Sequence, residues 1–160
     1  SSGSVNTMMR ARTAAVLAGT ALLALGLTAC DKPNPGASVF SGTTSQFQRA
    51  SCWSFDGASI DATACAKDIV GGAAGGASIP TIPVIPGQVI GISVDPVVAD
   101  GGWQPQINSQ SLTTTPITST YFRFTYPEFQ AVPADGIVMQ ILAGQQGSAT
   151  GVWFFRLVPA

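Results

Sequence analysis

The sequence predicts an all-β fold, an antiparallel β-sandwich of about seven to eight strands over residues 37–160, on three observations. Apolar residues recur with period two rather than 3.6 from Ala37 onward. The runs are short and separated by Gly, Pro, Asn and Ser clusters, as strands joined by turns require. With 46% hydrophobic and only 9% charged residues, the 160-residue chain has enough apolar surface to bury a core and lacks the signature of disorder.

Strands are expected at 37–41, 45–54, 79–85, 88–94, 103–108, 119–125, 136–142 and 151–158. Ile90, Ile92 and Val94 share one strand face, as do Phe122, Phe124 and Tyr126, Ile137, Met139 and Ile141, and Trp153, Phe155 and Leu157. Pro86-Gly87 reads as a tight turn. The helical candidate is a turn or two over 62–68, which Asp61 can cap. Trp103 follows Asp100-Gly101-Gly102 and resembles the core tryptophan of immunoglobulin-like sandwiches, which would make this sandwich immunoglobulin-like. Cys52 and Cys65 are too close in sequence to be the usual pin between the sheets of such a domain. The run VWFFR from Val152 is apolar on both faces, which suits a central strand covered on both sides, or one with a face in a partner or ligand groove. GGAAGGAS over 71–78 reads as a loop without the lysine ending of a phosphate-binding loop. The Ser/Thr/Pro-rich stretch 109–120 reads as exposed polar strand and turn, and also resembles O-glycosylated segments of exported proteins.

Upstream of this domain, Arg10 and Arg12 precede an uncharged run from Ala14 to Leu27. Those 14 residues fall short of the roughly 20 needed to span a bilayer but match the h-region of a signal peptide, the alternative being a buried Ala/Leu-rich helix. The stretch Leu27-Thr28-Ala29-Cys30 that follows resembles the lipobox of bacterial lipoproteins. The resemblance implies a diacylglycerol thioether on Cys30 and cleavage before it, leaving the domain on the extracytoplasmic face of the cell membrane. Two acyl chains hold a protein firmly where one binds marginally, each buried CH₂ contributing about 0.8 kcal/mol. The expected organisation is therefore expression scar or upstream read-through at 1–7, signal-peptide helix at 8–29, proline-stiffened tether at 30–36 and sandwich at 37–160. Of the three cysteines, lipidation accounts for Cys30, and Cys52 with Cys65 then form a pair suited to an oxidising compartment. Two reduced, buried thiols are the alternative.

The chain contains no histidine, which excludes Ser-His-Asp and Cys-His constellations and leaves too few ligands for zinc. From Cys30 on there are five Lys+Arg against eight Asp+Glu, a balance that does not suit nucleic acid. The remaining candidates for chemistry are weak. Ser93 in GISVD lacks the final glycine of a nucleophile elbow. A Ser-Lys dyad would need Lys32 or Lys67, and a histidine-free hydrolase would use Asp95, Asp100 or Glu128. Asp before Pro and Asp before Gly are also ordinary turn chemistry. VDPVVADGG lacks the alternating oxygen ligands of a calcium loop, and no metal or other cofactor is indicated.

The spaced pattern ACDKP at 29–33, SCW at 51–53 with Asp56-Gly57, Cys65, VDPVVADGGW at 94–103 and TGVWFFRL at 150–157 resembles a family of small actinobacterial lipoproteins whose domain has no assigned function. The family implies an exported, lipid-anchored domain and brings no catalytic residues. The expectation is thus a non-catalytic binding or structural module of the cell envelope, attached to the membrane through Cys30, with an envelope protein, glycan or lipid as partner. The alternatives are a small carrier of a hydrophobic ligand and, behind it, the histidine-free hydrolase.

Overall fold

Ten strands and two short helices are formed by the described residues, which are 31–70, 79–145 and 147–160 of the computed structural model. The leader, Cys30 and the loop 71–78 lie outside the described residues. In chain order the elements are β1 (Gly36–Ser41), β2 (Thr44–Arg49), β3 (Cys52–Trp53), α1 (Ala62–Val70), β4 (Thr81–Val84), β5 (Val89–Val94), α2 (Pro96–Gly101), β6 (Trp103–Ile107), β7 (Gln110–Ser111), β8 (Tyr121–Thr125), β9 (Ile137–Gln145) and β10 (Ser148–Pro159). Two packed sheets make a sandwich. One has four strands in the order β2-β1-β5-β8; the other has six, β3-β10-β9-β6-β7 with β4 beside β10.

The period-two residues point where the pattern places them. Val39, Ile90, Ile92 and Val94 from the smaller sheet meet Trp103, Met139, Ile141, Trp153, Phe155 and Leu157 from the larger one, all in the buried core. Trp103 packs edge-on against Phe122, with ring centroids 6.4 Å apart, and donates its indole N–H to the Ser119 carbonyl. Its neighbour is thus an aromatic ring and not the disulfide that accompanies the immunoglobulin tryptophan. At Pro86-Gly87 the Gln88 N–H reaches the Ile85 carbonyl at 3.0 Å, and Gly87 takes φ +87°, a conformation only glycine adopts freely at the third position of such a turn.

Several boundaries differ from expectation, each for a physical reason. The expected strand 45–54 is two strands: β2 pairs with β1, the chain crosses at Ala50-Ser51, and β3 pairs with β10 in the other sheet. Ala50 N–H bonds to Pro35 O and Ser51 N–H to Val152 O, so the backbone stays bonded through the corner and alternation in sequence does not mark it. The segment between the strands expected at 88–94 and 103–108 contains α2, with Pro96 in its first turn, Val98 and Ala99 buried, and Gly102 at φ +81° ending it. Asn108 and Ser109, both at positive φ, close a two-residue hairpin that adds β7. The pairing is antiparallel throughout except for β4, which runs parallel to β10. The segment expected to be a free tether is docked from Asn34 on. The Asn34 amide donates to Ala50 O, Pro35 O accepts the Trp153 indole N–H, and Pro35 and Gly36 are buried.

A third layer covers the β10 side of the larger sheet. Val152 and Phe154, on the opposite face of β10 from Trp153 and Phe155, are fully buried with Cys65 of α1 and Ile79. Helix α1 is therefore a lid on the outer face of this sheet. The Cys52–Cys65 disulfide bonds it to β3, with the two Cα atoms 6.4 Å apart. Both hydrophobic clusters lie within the compact unit Pro33–Ala160, which carries its own complete core.

Candidate binding groove

Helix α1 covers the β10 side of the outer face of the larger sheet and leaves the β6 and β9 side open. Outward positions on β6 are Gln104 and Gln106; on β9 they are Val138, Gln140, Leu142 and Gly144, of which Val138 and Leu142 pack against the cluster under α1. Register places Gln104 beside Leu142 and Gln106 directly beside Gln140. Two adjoining hollows of about 240 and 270 Å³ share Ala62, Gln106 and Leu142 and together form one groove along the flank of α1. Its floor is amide and methyl, and its walls are the first turns of α1 and the β9–β10 hairpin.

The electrostatics are close to neutral. Asp61 is the one carboxylate along the groove among the described residues, and its Oδ1 accepts the Ala64 N–H at 3.0 Å, capping α1 as the sequence predicts. Among the described residues no lysine or arginine lines either hollow. Gln104 is buried and donates its amide to the carbonyl and hydroxyl of Thr113, at 3.2 and 3.4 Å, which fixes that edge of the floor. The amides of Gln106 and Gln140 have no hydrogen-bond partner among the described residues and are half-buried. Each offers two N–H donors and a carbonyl acceptor. A side-by-side pair of that kind can hold a ligand carrying both donors and acceptors, but supplies neither nucleophile nor base.

The residues singled out from sequence are dispersed. Cys30 lies outside the described residues. Cys52 and Cys65 are bonded to each other and hold the lid. Asp95 Oδ2 accepts the Gly36 N–H at 2.7 Å while Asp95 N–H donates to Gly36 O, so this carboxylate fastens the start of β1 to the end of β5. Asp100 is exposed at the other end of α2, and Glu128 is exposed in the β8–β9 loop beside Gly87. Ser93 pairs with Ser38 on the outer face of the smaller sheet, and Lys67 is exposed on α1. Among the described residues none of these side chains meets a partner suited to proton transfer. Among the described residues no three Asp, Glu or Cys side chains gather as metal ligands would.

The groove glutamines carry no mark of their groove position in the sequence. Alternation marks Gln104, Gln106 and Gln140 as outward, but only the position of α1 turns an outward face into a floor. A further cleft of about 320 Å³ opens between β7 and β8, lined by Ile107, Leu112, Phe124 and Tyr126 among others. No helix among the described residues is long and apolar enough to cross a membrane. Comparison of the chain with protein families, with curated proteins and with solved structures finds no match at any of the three levels.

Proposed function

We propose that this chain is a lipid-anchored, non-catalytic binding module of the cell envelope, held to the extracytoplasmic face of the membrane through Cys30, and that its groove takes a neutral glycan strand. The observation that carries the reading is the Gln106–Gln140 pair on an uncharged floor. Hydroxyl groups both donate and accept, as amides do, and neither partner forfeits charge solvation on binding. An extended peptide is less well served, because the groove lies on a sheet face whose backbone is already paired in the ladder, and strand addition needs a free edge. The lipobox resemblance at Leu27–Cys30 supports the anchor, and the disulfide at Cys52–Cys65 suits an oxidising compartment.

Two measurements test the proposal. Intact mass of the protein recovered from the membranes of cells that make it should show a chain beginning at Cys30 with a diacylglycerol-sized increment; an unmodified chain would remove the anchor. Binding of residues 33–160 to neutral envelope glycans should weaken about tenfold or more in the Gln106→Ala/Gln140→Ala variant without a change in melting temperature. Failure of every neutral glycan to bind, or binding indifferent to both glutamines, would remove the groove reading.

A carrier role is the second reading, supported by the aromatic-lined cleft between β7 and β8. Its volume lies at the small end of the range for ligand sites, about 300–1,000 Å³. A hydrophobic molecule extracted from the folded domain, and lost on Phe124→Ala, would favour it over the groove.

A further inference from the structure

Among the described residues no layer covers the outer face of the four-stranded sheet, and its chemistry differs from the rest of the domain. Phe47 and Tyr121 are 56% and 48% exposed on it. Phe40 lies between them in the sheet, stacked on Tyr121 with ring centroids 6.0 Å apart and planes 11° from parallel. These rings lie low because their neighbours are small. An atom in the Cβ position of Gly91 would fall 2.2 Å from Phe40 Cε2, and one at Gly36 would fall 2.2 Å from Phe47 Cε2. The charged side chains on this face are Arg49 and Arg123, both exposed. Asp95, at one border, is engaged by the Gly36 N–H, and Glu128 lies beyond the opposite border, beside Gly87. A domain with more acidic than basic residues thus presents one face whose charges are cationic and whose apolar groups are aromatic.

Chain geometry gives this face an occupant. Since the fold is docked from Asn34, at most about 14 Å of extended chain separates Cys30 from the folded domain. Gly36, Phe47 and Arg49 stand where the chain enters, Gly36 pairing with Arg49. The next two rows across the sheet, Phe47-Ser38-Ser93-Tyr121 and Phe40-Gly91-Arg123, follow within about 14 Å along β1.

We infer that the outer face of the four-stranded sheet rests on the anionic surface of the membrane that carries the anchor, with Arg49 and Arg123 over lipid phosphates and Phe47 and Tyr121 at the headgroup level. The inference rests on the anchored reading for its proximity and adds a second, protein-borne contact. Each arginine near an anionic leaflet raises partitioning about fivefold, and tyrosine favours the interface. That gain is weak for a free domain. For one already tethered it suffices, because the anchor supplies a high effective concentration and the face has only to choose an orientation. The groove lies on the opposite side of the sandwich, so this orientation turns it away from the bilayer, toward the rest of the envelope.

The test uses residues 33–160, which carry the complete core and lack Cys30. Partitioning is measured by flotation on phosphatidylcholine vesicles with and without about a third of phosphatidylglycerol. Binding is expected to be about 25-fold stronger on the anionic vesicles, to fall to the neutral level in Arg49→Ser/Arg123→Ser, and to be unaffected by Arg156→Ser on the other sheet. Equal partitioning on both compositions would overturn the inference, as would an equal loss in Arg156→Ser or a stable dimer in solution that buries Phe47 and Tyr121. Because the fragment has no anchor, either outcome leaves the intact-mass test of Cys30 independent.

Discussion

The smaller sheet buries one face, whereas the larger sheet also buries part of its second, and the difference is visible along β10. In β5 of the smaller sheet, inward Ile90, Ile92 and Val94 are buried while Val89 is 49% exposed. In β10, Val152, Trp153, Phe154 and Phe155 are all 0% exposed, so alternation of side chains coexists with no alternation of burial. A single face is enough to make a sandwich. A second dry face requires something to lie on it, and here that is α1, a nine-residue helix fastened by one covalent bond. Short helices are marginal by themselves, so α1 owes its place to the cluster beneath it and to the disulfide.

The sharpest way to break the comparison is to truncate both sides of β10. Phe155→Ala removes a ring from the main core, and Phe154→Ala removes one from the cluster under α1. Both are expected to cost about 3–5 kcal/mol in chemical denaturation, because each leaves a cavity in a fully buried site. A cost for Phe154→Ala below about 1 kcal/mol would mean that the outer cluster collapses onto the gap and is no second core.

Removing the disulfide is the next largest perturbation. Its cysteines are 13 residues apart, and opening a loop of that size costs about 3 kcal/mol in the chain-entropy model. The Cys52→Ala/Cys65→Ala variant should lose amide-exchange protection in α1 and β3 while the β1–β5 ladder keeps it. Uniform loss across both sheets would show instead that the lid and sandwich unfold as one unit.

This contrast also explains what was legible in the sequence. The smaller sheet obeys period two and buries one face, so the alternation places β1, β5 and β8 within two residues of their ends. The doubly apolar run at β10 was legible as a strand covered on both sides, and Asp61 as the cap of a short helix. The crossing at Ala50-Ser51 was not, since an extended chain that changes sheets keeps its alternation. Nor was α2, whose six residues look like turn chemistry because Asp95-Pro96 and Asp100-Gly101 bracket them. The Cys52–Cys65 pair was readable, but its consequence was not: tethering α1 over β10 creates the groove beside β6 and β9. A site built by where a helix lies across a sheet leaves no local signal in the residues that line it.

On the smaller sheet the corresponding probe is milder. Gly91→Ala puts a methyl where the Phe40 ring rests, and the ring, half-buried at the surface, can lift away at a cost of about 1 kcal/mol for an off-rotamer side chain. The stack on Tyr121 should then be lost, seen as a change in the Tyr121 ring chemical shifts, with the core signals of Trp103 and Trp153 unmoved. Gly151→Ala, on the larger sheet, is the matching case: its Cβ would fall 2.4 Å from Trp53 and 3.4 Å from Trp153, with a buried indole beside it. It should cost more than Gly91→Ala, and an equal cost would erase the distinction between the open outer face of the smaller sheet and the closed core.

The smallest effect separates two aspartates, one on each side of the comparison. Asp95 fastens strands of the smaller sheet through a backbone N–H, whereas Asp56, fully exposed after β3, holds only its own turn. The Ser54 hydroxyl at 2.6 Å and then the Ala58 N–H at 3.0 Å hold the Asp56 carboxyl below the ordinary aspartate value. The ionised form is the one these donors favour, so the stabilisation is fully present above the ordinary value, near pH 4, and is lost as pH falls through the lowered one. Solvent screens it at this exposed site, so the turn rather than the fold should respond. In an NMR titration the Asp56 carboxyl should protonate at lower pH than a free aspartate, and Ser54→Ala should move it back toward the ordinary value while amide protection in β1 and β5 stays constant. Titration of Asp56 at the ordinary value in the unaltered protein would show that the Ser54 hydroxyl does not hold the carboxylate in solution, leaving the β3–α1 connection to the disulfide and to the Ser54 and Ile60 N–H bonds to β10.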